Sequence, residues 1–351
     1  MYIIILIYLF FCSLVNNKNL TTFNVLVTFI IMSGWYFPAY DWINYHDFYS
    51  RIDNVGLFNN TFEPGFTALM KISAWMGFEY HSVYILSNVI IYFFVYHYCI
   101  KFRYSGFVFF FIFALFGFVL FAEQIRQGIA LAILLFASRR RKFILYALIA
   151  CLFHYSAVFA IGLDFIINSK EKNRKKMVFV FSGGALAILG LLVFGMNSAM
   201  VAFISNKISN HLNVNILASS FMLGLVLYFI FPLFCLYKKK ENIVNKKWQC
   251  FCFGVILLGV PFPVFNRFTY YCYPYLIPDI ENMFSKYISR GILILTIVFV
   301  IGLRIVISPI YLPLMSDYHF YLPGVTESPD YNSIRKGRCE ILRSNGINDF
   351  C

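Results

Sequence analysis

Charge is scarce in this chain: 13% of its 351 residues are Asp, Glu, Lys or Arg, where an ordinary soluble domain carries about 25%. So little charge excludes a large solvated catalytic domain. Nucleotide and metal signatures are missing too. The sequence has no G-x-G-x-x-G, no P-loop and no H-E-x-x-H, which argues against a nucleotide-dependent enzyme or a zinc protease. Internal repeats, heptads and low-complexity linkers are also absent.

What is abundant is apolar residue, 60% of the chain, with a mean hydropathy of +0.72. The apolar runs are long and do not alternate, as in Val25 to Met32 and Ile292 to Ile301, which excludes a transmembrane β-barrel. At roughly 20 residues per crossing the chain has room for about ten to twelve helices and little else. The expected class is therefore all-α, a polytopic integral membrane protein with about twelve transmembrane helices, several of them short or broken.

The net charge of +13 is read by position. Lys and Arg cluster between apolar runs: Lys101 and Arg103; Arg139 to Lys142; Lys170 to Lys176; Lys238 to Lys247; Lys286 and Arg290. Placing these loops and Lys18 on the cytoplasmic side accounts for nineteen of the 29 basic residues, as the positive-inside rule requires. The excess is thus a topology signal, and no nucleic-acid partner is expected.

Those anchors thread the chain from an outer N-terminus. Met1 to Val15 is apolar and lacks the basic start of a cleaved signal, so it reads as a retained span. Leu20 to Phe37 returns outward, followed by an outer segment over about 38–81. Within that segment Gly65 to Phe78 is short and carries Lys71, which suits a helix lying in the interface. Spans are expected at Ser82 to Ile100, Ser105 to Phe121, Gln127 to Ala137, Phe143 to Phe153 and Tyr155 to Asn168. More are expected at Met177 to Met196, Val214 to Tyr237, Trp248 to Phe265, Phe268 to Ser285 and Gly291 to Tyr311. One membrane domain, 1–311, and an outer tail, 312–351, is the economical division. Seven of nine cysteines fall in these spans as small apolar packers. Cys339 and Cys351 are left to pair outside, and no Cys or His spacing suits a metal.

Polar residues that break the apolar pattern carry the functional information, because ionisable groups at membrane depth are costly. The first are Glu123, Arg126 and Gln127. On one helix they share a face, so Arg126 either pairs with Glu123 or presents its guanidinium to an anion. The second is His154, at the outward turn between two short spans, where it either satisfies a backbone group or transfers protons near neutral pH. The third is Asn266 to Pro274, containing Arg267, Tyr270 and Tyr271, in a stretch interrupted by Pro261, Pro263, Pro274 and Pro278. Broken helices at membrane depth usually line a cavity. Two arginines and a histidine on the outer face suit a polyanion such as a lipid-linked pyrophosphate, since the guanidinium fork fits phosphate oxygens. Arg304, in the last span, is a weaker candidate that can snorkel to the interface. The aromatics of the outer segment, Trp35 to Tyr49 around Asp41, form either an interface belt or a saccharide surface with Asp41 or Glu63 accepting hydroxyl hydrogen bonds.

At these residues the chain resembles the EpsG-type branch of the bacterial polysaccharide polymerases, the Wzy O-antigen polymerases. The resemblance rests on Asp41-Trp-Ile-Asn-Tyr45, Glu63-Pro-Gly-Phe66, Arg126-Gln-Gly-Ile-Ala130, His154-Tyr-Ser-Ala157 and Arg267-Phe-Thr-Tyr-Tyr271, in that order, from about residue 1 to 310. One departure is that such proteins often carry an Arg shortly before the aspartate-tyrosine element, where Trp35 and Tyr36 stand here.

The resemblance implies a bacterial inner-membrane glycosyltransferase of GT-C type that works on the periplasmic side without metal, nucleotide sugar or other cofactor. It would join undecaprenyl-pyrophosphate-linked repeat units into O-antigen or a related surface polysaccharide, beside a chain-length regulator and a flippase. Arg126 and Arg267 would hold the pyrophosphate, and His154 or Asp41 would take the acceptor's proton. Glu63, Glu123, Gln127, Tyr45, Tyr270 and Tyr271 would bind glycan or support the site. The alternatives are a flippase for lipid-linked oligosaccharide, which needs interior cations and broken helices as well, and an O-antigen ligase, which uses the same donor.

Overall fold

The computed structural model describes residues 1–39, 41–57, 62–138, 140, 142–168, 268–284, 315 and 317–344. The chain divides into two compact units, one of residues 1–157 with 277–351 and one of 158–276. The expected spans Met177 to Met196, Val214 to Tyr237, Trp248 to Phe265 and Gly291 to Tyr311 lie outside the described residues. What is described is mostly helical, in keeping with the expected all-α class.

In the first unit, helix α1 (Tyr2–Ser13) is apolar almost throughout. Helix α2 (Lys18–Ser33) starts where the Asn17 side chain accepts from the backbone N–H groups of Asn19 and Leu20, at 2.8 and 3.2 Å. Such a cap is worth about 1 kcal/mol. α2 stops at Gly34, where a Cβ would run into the ring of Phe320. The chain then forms the short strand β1 (Trp35–Tyr36), and Phe37 takes a left-handed φ of 54°. The segment that follows carries a short helix close to the one expected over Gly65 to Phe78. The segment folds as helix α3 (Asp41–Tyr49), a 3₁₀ turn over Ile52–Asn54, and helix α4 (Pro64–Trp75). Pro64 takes the first position of α4, where its missing N–H costs nothing.

Helix α5 (Tyr80–Cys99) is, among the described residues, the one helix long and apolar enough to cross a membrane. Helix α6 (Ser105–Phe116) is shorter than the span expected over Ser105 to Phe121. At Gly117 a Cβ would collide with the Phe113 carbonyl and ring, and the chain goes on as a π turn over Val119–Glu123. Gln124 (φ −89°, ψ 58°) then breaks the helix before α7 (Ile125–Ala137). Helix α7 is buried over nearly its whole length and packs against α5 and against α8 (Phe143–Phe153). A Cβ on Gly128 would strike the Leu120 carbonyl, so glycine lets α7 fold back closely on the π turn that precedes it. Helix α8 buries Phe143, Ala147 and Ala150 and leaves Ile144, Leu145, Leu148 and Leu152 exposed. Such an apolar exposed face suits lipid. A 3₁₀ turn, Tyr155–Ala157, follows His154.

In the second unit, helix α9 (Val158–Asn168) meets the 3₁₀ turn Tyr270–Cys272. There the Tyr275 hydroxyl donates to Asp164 at 3.2 Å. Helix α10 (Tyr273–Phe284) runs on from that turn; its first four residues belong to this unit and the rest, with Pro278, to the first. Back in the first unit, strand β2 (His319–Phe320) pairs antiparallel with β1, Trp35 opposite Phe320 and Tyr36 opposite His319. Helix α11 (Tyr331–Ser344) closes the described chain. The tail therefore packs within the first unit, against the segment that follows α2.

Candidate functional site

Three sequence elements far apart in the chain meet around one carboxylate. Glu63 sits immediately before α4 with extended backbone (φ −67°, ψ 146°), and its side chain makes no capping hydrogen bond to the helix it precedes. It is 4% exposed. One oxygen, Oε2, forms a close ion pair with Nη1 of Arg126, in the first turn of α7. The other, Oε1, lies 2.7 Å from Nδ1 of His154, in the turn after α8. The partners are 63 and 91 residues away in sequence.

Glycine makes this meeting possible. A Cβ on Gly65 would lie 2.8 Å from the Leu152 carbonyl oxygen, so Glu63-Pro64-Gly65 brings the start of α4 against the end of α8, two residues before His154. Gly128 does the same for Arg126 by letting the start of α7 fold closely against the π turn.

Helix α3 adds an aromatic wall. The Arg126 guanidinium lies over the Phe62 ring at 4.6 Å and the Tyr45 ring at 5.5 Å, and its Nε donates to the Tyr45 hydroxyl at 3.4 Å. Tyr45 also packs edge-on against Phe62 and Phe66, and its hydroxyl donates to Asp41 Oδ2 at 3.4 Å. Cation–π contact with two rings fixes the plane of the guanidinium.

The electrostatics follow from this packing. Burial alone would raise the Glu63 carboxyl; the His154 hydrogen bond and the Arg126 charge outweigh it and hold the pKa at about 2. Glu63 is therefore an anion at neutral pH and only accepts hydrogen bonds, which assigns the proton on His154 to Nδ1. In the neutral form of that imidazole the lone pair lies on Nε2. Burial and the charge of Asp41 both keep the proton on Tyr45. Arg126 and His154 remain in part accessible, with 22% and 12% of their side chains exposed, whereas Glu63 shows 5%. The carboxylate is the most enclosed of the three, held between the cation and the imidazole.

Of the residues singled out in the sequence, Glu63, Arg126, His154 and Tyr45 come together, and Asp41 reaches them through Tyr45. Arg126 pairs with Glu63 rather than with Glu123. The helix breaks at Gln124, which puts Glu123 on the π turn and Arg126 on α7, so the shared helical face expected for them does not exist. Glu123 and Gln127 are buried side chains. Tyr270 and Tyr271 are buried in the second unit. Arg267 and Arg304 lie outside the described residues. Phe62 was not foreseen, although an aromatic next to a buried ion pair is a legible signal. Among the described residues no three His, Cys, Asp or Glu side chains cluster as metal ligands.

The described residues thus form a mostly helical framework with one membrane-length helix and a buried carboxylate held between a guanidinium and an imidazole. The EpsG family matches residues 19–321, and the chain belongs to that family. Membership points to a polysaccharide polymerase-type role. No curated protein and no solved structure matches the chain.

Proposed function

We propose that the protein is a membrane glycosyltransferase that joins lipid-pyrophosphate-linked oligosaccharide repeat units into O-antigen or a related surface polysaccharide, on the periplasmic side of the bacterial inner membrane. The observation that carries this reading is Glu63 holding Arg126 with one oxygen and His154 with the other. In the reaction the acceptor sugar's hydroxyl oxygen attacks the anomeric carbon of the donor glycan. The bond from that carbon to the pyrophosphate oxygen breaks, and the lipid pyrophosphate leaves with the electron pair.

Arg126 supplies fixed positive charge where negative charge grows on the leaving group, the effect that lowers such barriers most in a low-dielectric site. Arg267 is proposed as a second cation there, by resemblance. Nε2 of His154 takes the acceptor's proton while Nδ1–H remains bound to Glu63, so the imidazolium that forms faces a carboxylate. Of the two candidate bases, His154 suits the role better than Asp41, whose carboxylate is occupied by the Tyr45 hydroxyl. Gel analysis of surface glycan tests the reading. A deletion strain should show only single-unit glycan, the wild-type gene should restore the ladder, and Arg126→Ala or His154→Ala at matched protein level should not. Loss of even the single unit in the deletion strain would move the function to flipping or ligation, and the reading would fail.

A further inference from the structure

Helix α3 has two working faces. Tyr45 touches Arg126 on one side. On the other, the His46 ring stacks on Tyr331 with centroids 3.9 Å apart and planes 18° apart, and Asp47 receives a two-pronged hydrogen bond from Arg335 at 2.8 and 2.9 Å. Tyr331 and Arg335 both belong to α11, beyond the matched residues 19–321.

α11 is itself firmly held. Arg338 is fully buried; its Nη2 donates to the carbonyls of Phe37 and Asp317, each at 3.1 Å, and lies 3.3 Å from the Asp317 carboxylate. Trp35 Nε1 donates to Asp317 O at 3.2 Å, the Tyr321 carbonyl meets His81 Nε2 at 2.9 Å, and the Tyr321 hydroxyl bonds Glu79 closely. Cys339 is disulfide-bonded, which persists in an oxidising compartment. The carbonyl that Arg338 grips belongs to Phe37, the one described non-glycine residue with positive φ, a conformation that costs about 1 kcal/mol or more. Helix α3 has nine residues. A helix that short is not stable alone and takes its position from whatever packs on it.

We propose that the C-terminal segment 317–344 is a clamp that positions α3, and with it Tyr45, beside the Glu63–Arg126–His154 cluster, with Arg335 and Tyr331 as positioning residues. Its catalytic consequence rests on the polymerase reading above; its structural part does not. The Arg335–Asp47 pair is half-exposed, so losing it alone has a modest effect, but reversing one charge sets like charges against each other.

The test compares Asp47→Arg, Arg335→Asp and the charge-swapped double variant in the full-length protein, with folded amount matched by size exclusion in detergent. Two quantities are read: backbone hydrogen exchange over 41–49 and the surface-glycan ladder. Each single reversal should speed exchange and lower polymer yield by about three- to tenfold, and the double should restore both. Arg335→Gln, milder and safe for folding, should shift both readouts in the same direction by less. Unchanged exchange in the single variants overturns the clamp, as does a double variant that restores nothing. Faster exchange with an intact ladder overturns the positioning of the site while keeping the tail as a structural tie. If deleting the gene does not leave single-unit glycan, the polymerase reading fails on its own, and the exchange data still decide the clamp.

Discussion

Two arginines of this protein are buried in contrasting ways. Arg338, at the tail, has no exposed side chain; its Nη2 donates to the carbonyls of Phe37 and Asp317 and lies beside the Asp317 carboxylate, while Nε and Nη1 are buried without a hydrogen-bond partner among the described residues. Arg126 is paired to a buried carboxylate and laid over two rings, yet keeps 22% of its side chain open. Both hold distant segments together. Of the two, Arg126 alone stays in part accessible, beside a histidine with 12% of its side chain exposed. What separates the two is access: the guanidinium side chain at the tail is closed to solvent, and the one beside Glu63 is not.

That contrast can be broken from the Arg126 side first. Glu63→Gln keeps the volume but removes the charge that holds Arg126 and His154; polymer formation per folded molecule should fall about 100-fold, the scale on which a positioned general base or a fixed charge at the leaving group speeds a reaction. Initial rates with lipid-linked repeat units in nanodiscs would measure it. Arg126→Lys keeps the charge but loses the planar fork and ring stacking, and should cost about tenfold in the same assay. Gly65→Ala pushes a methyl group towards the Leu152 carbonyl and should cost about 1–3 kcal/mol in stability by overpacking, read as a lower melting temperature in detergent.

From the other side, Arg338→Met should lower the melting temperature by a few degrees, for about 1–3 kcal/mol of lost hydrogen bonding. Activity per folded molecule should fall much less than in Arg126→Lys. Acid sharpens the comparison with the smallest effect. The Glu63 carboxyl sits at about 2 in the folded protein, below its ordinary value. Its stabilisation is therefore full above the unfolded value of about 4.3 and fades as pH falls through the folded one. The melting-temperature difference between wild type and Glu63→Gln should stay flat from pH 7 to 5 and shrink only under stronger acid.

Much of this was legible in the sequence, but unevenly. The apolar runs located α1, α2, α5 and α8 to within a few residues, because those helices are defined by what they bury or expose. The motif residues Glu63, Arg126, His154 and Tyr45 stood out, although their mutual arrangement did not. Glu63 pairs with residues 63 and 91 positions later, and no local periodicity encodes a contact at that separation. The helical face expected to join Glu123 and Arg126 failed for a local reason, the break at Gln124, which looks like any other polar residue in an apolar stretch. The tail read as an appendage because Asp47 and Arg335, 288 residues apart, are ordinary surface charges until the fold brings them together.

The central claim is that Glu63 and His154 act as one unit in glycan polymerisation. It is tested most directly by a double-mutant cycle on purified protein in nanodiscs, with initial polymerisation rates for wild type, Glu63→Gln, His154→Ala and both together at matched folded amount. Groups that act as a unit are strongly non-additive. The account predicts that each single variant loses about 100-fold or more and that the double is scarcely worse than His154→Ala. Two losses that multiply, or a Glu63→Gln variant that polymerises at the wild-type rate, would contradict it.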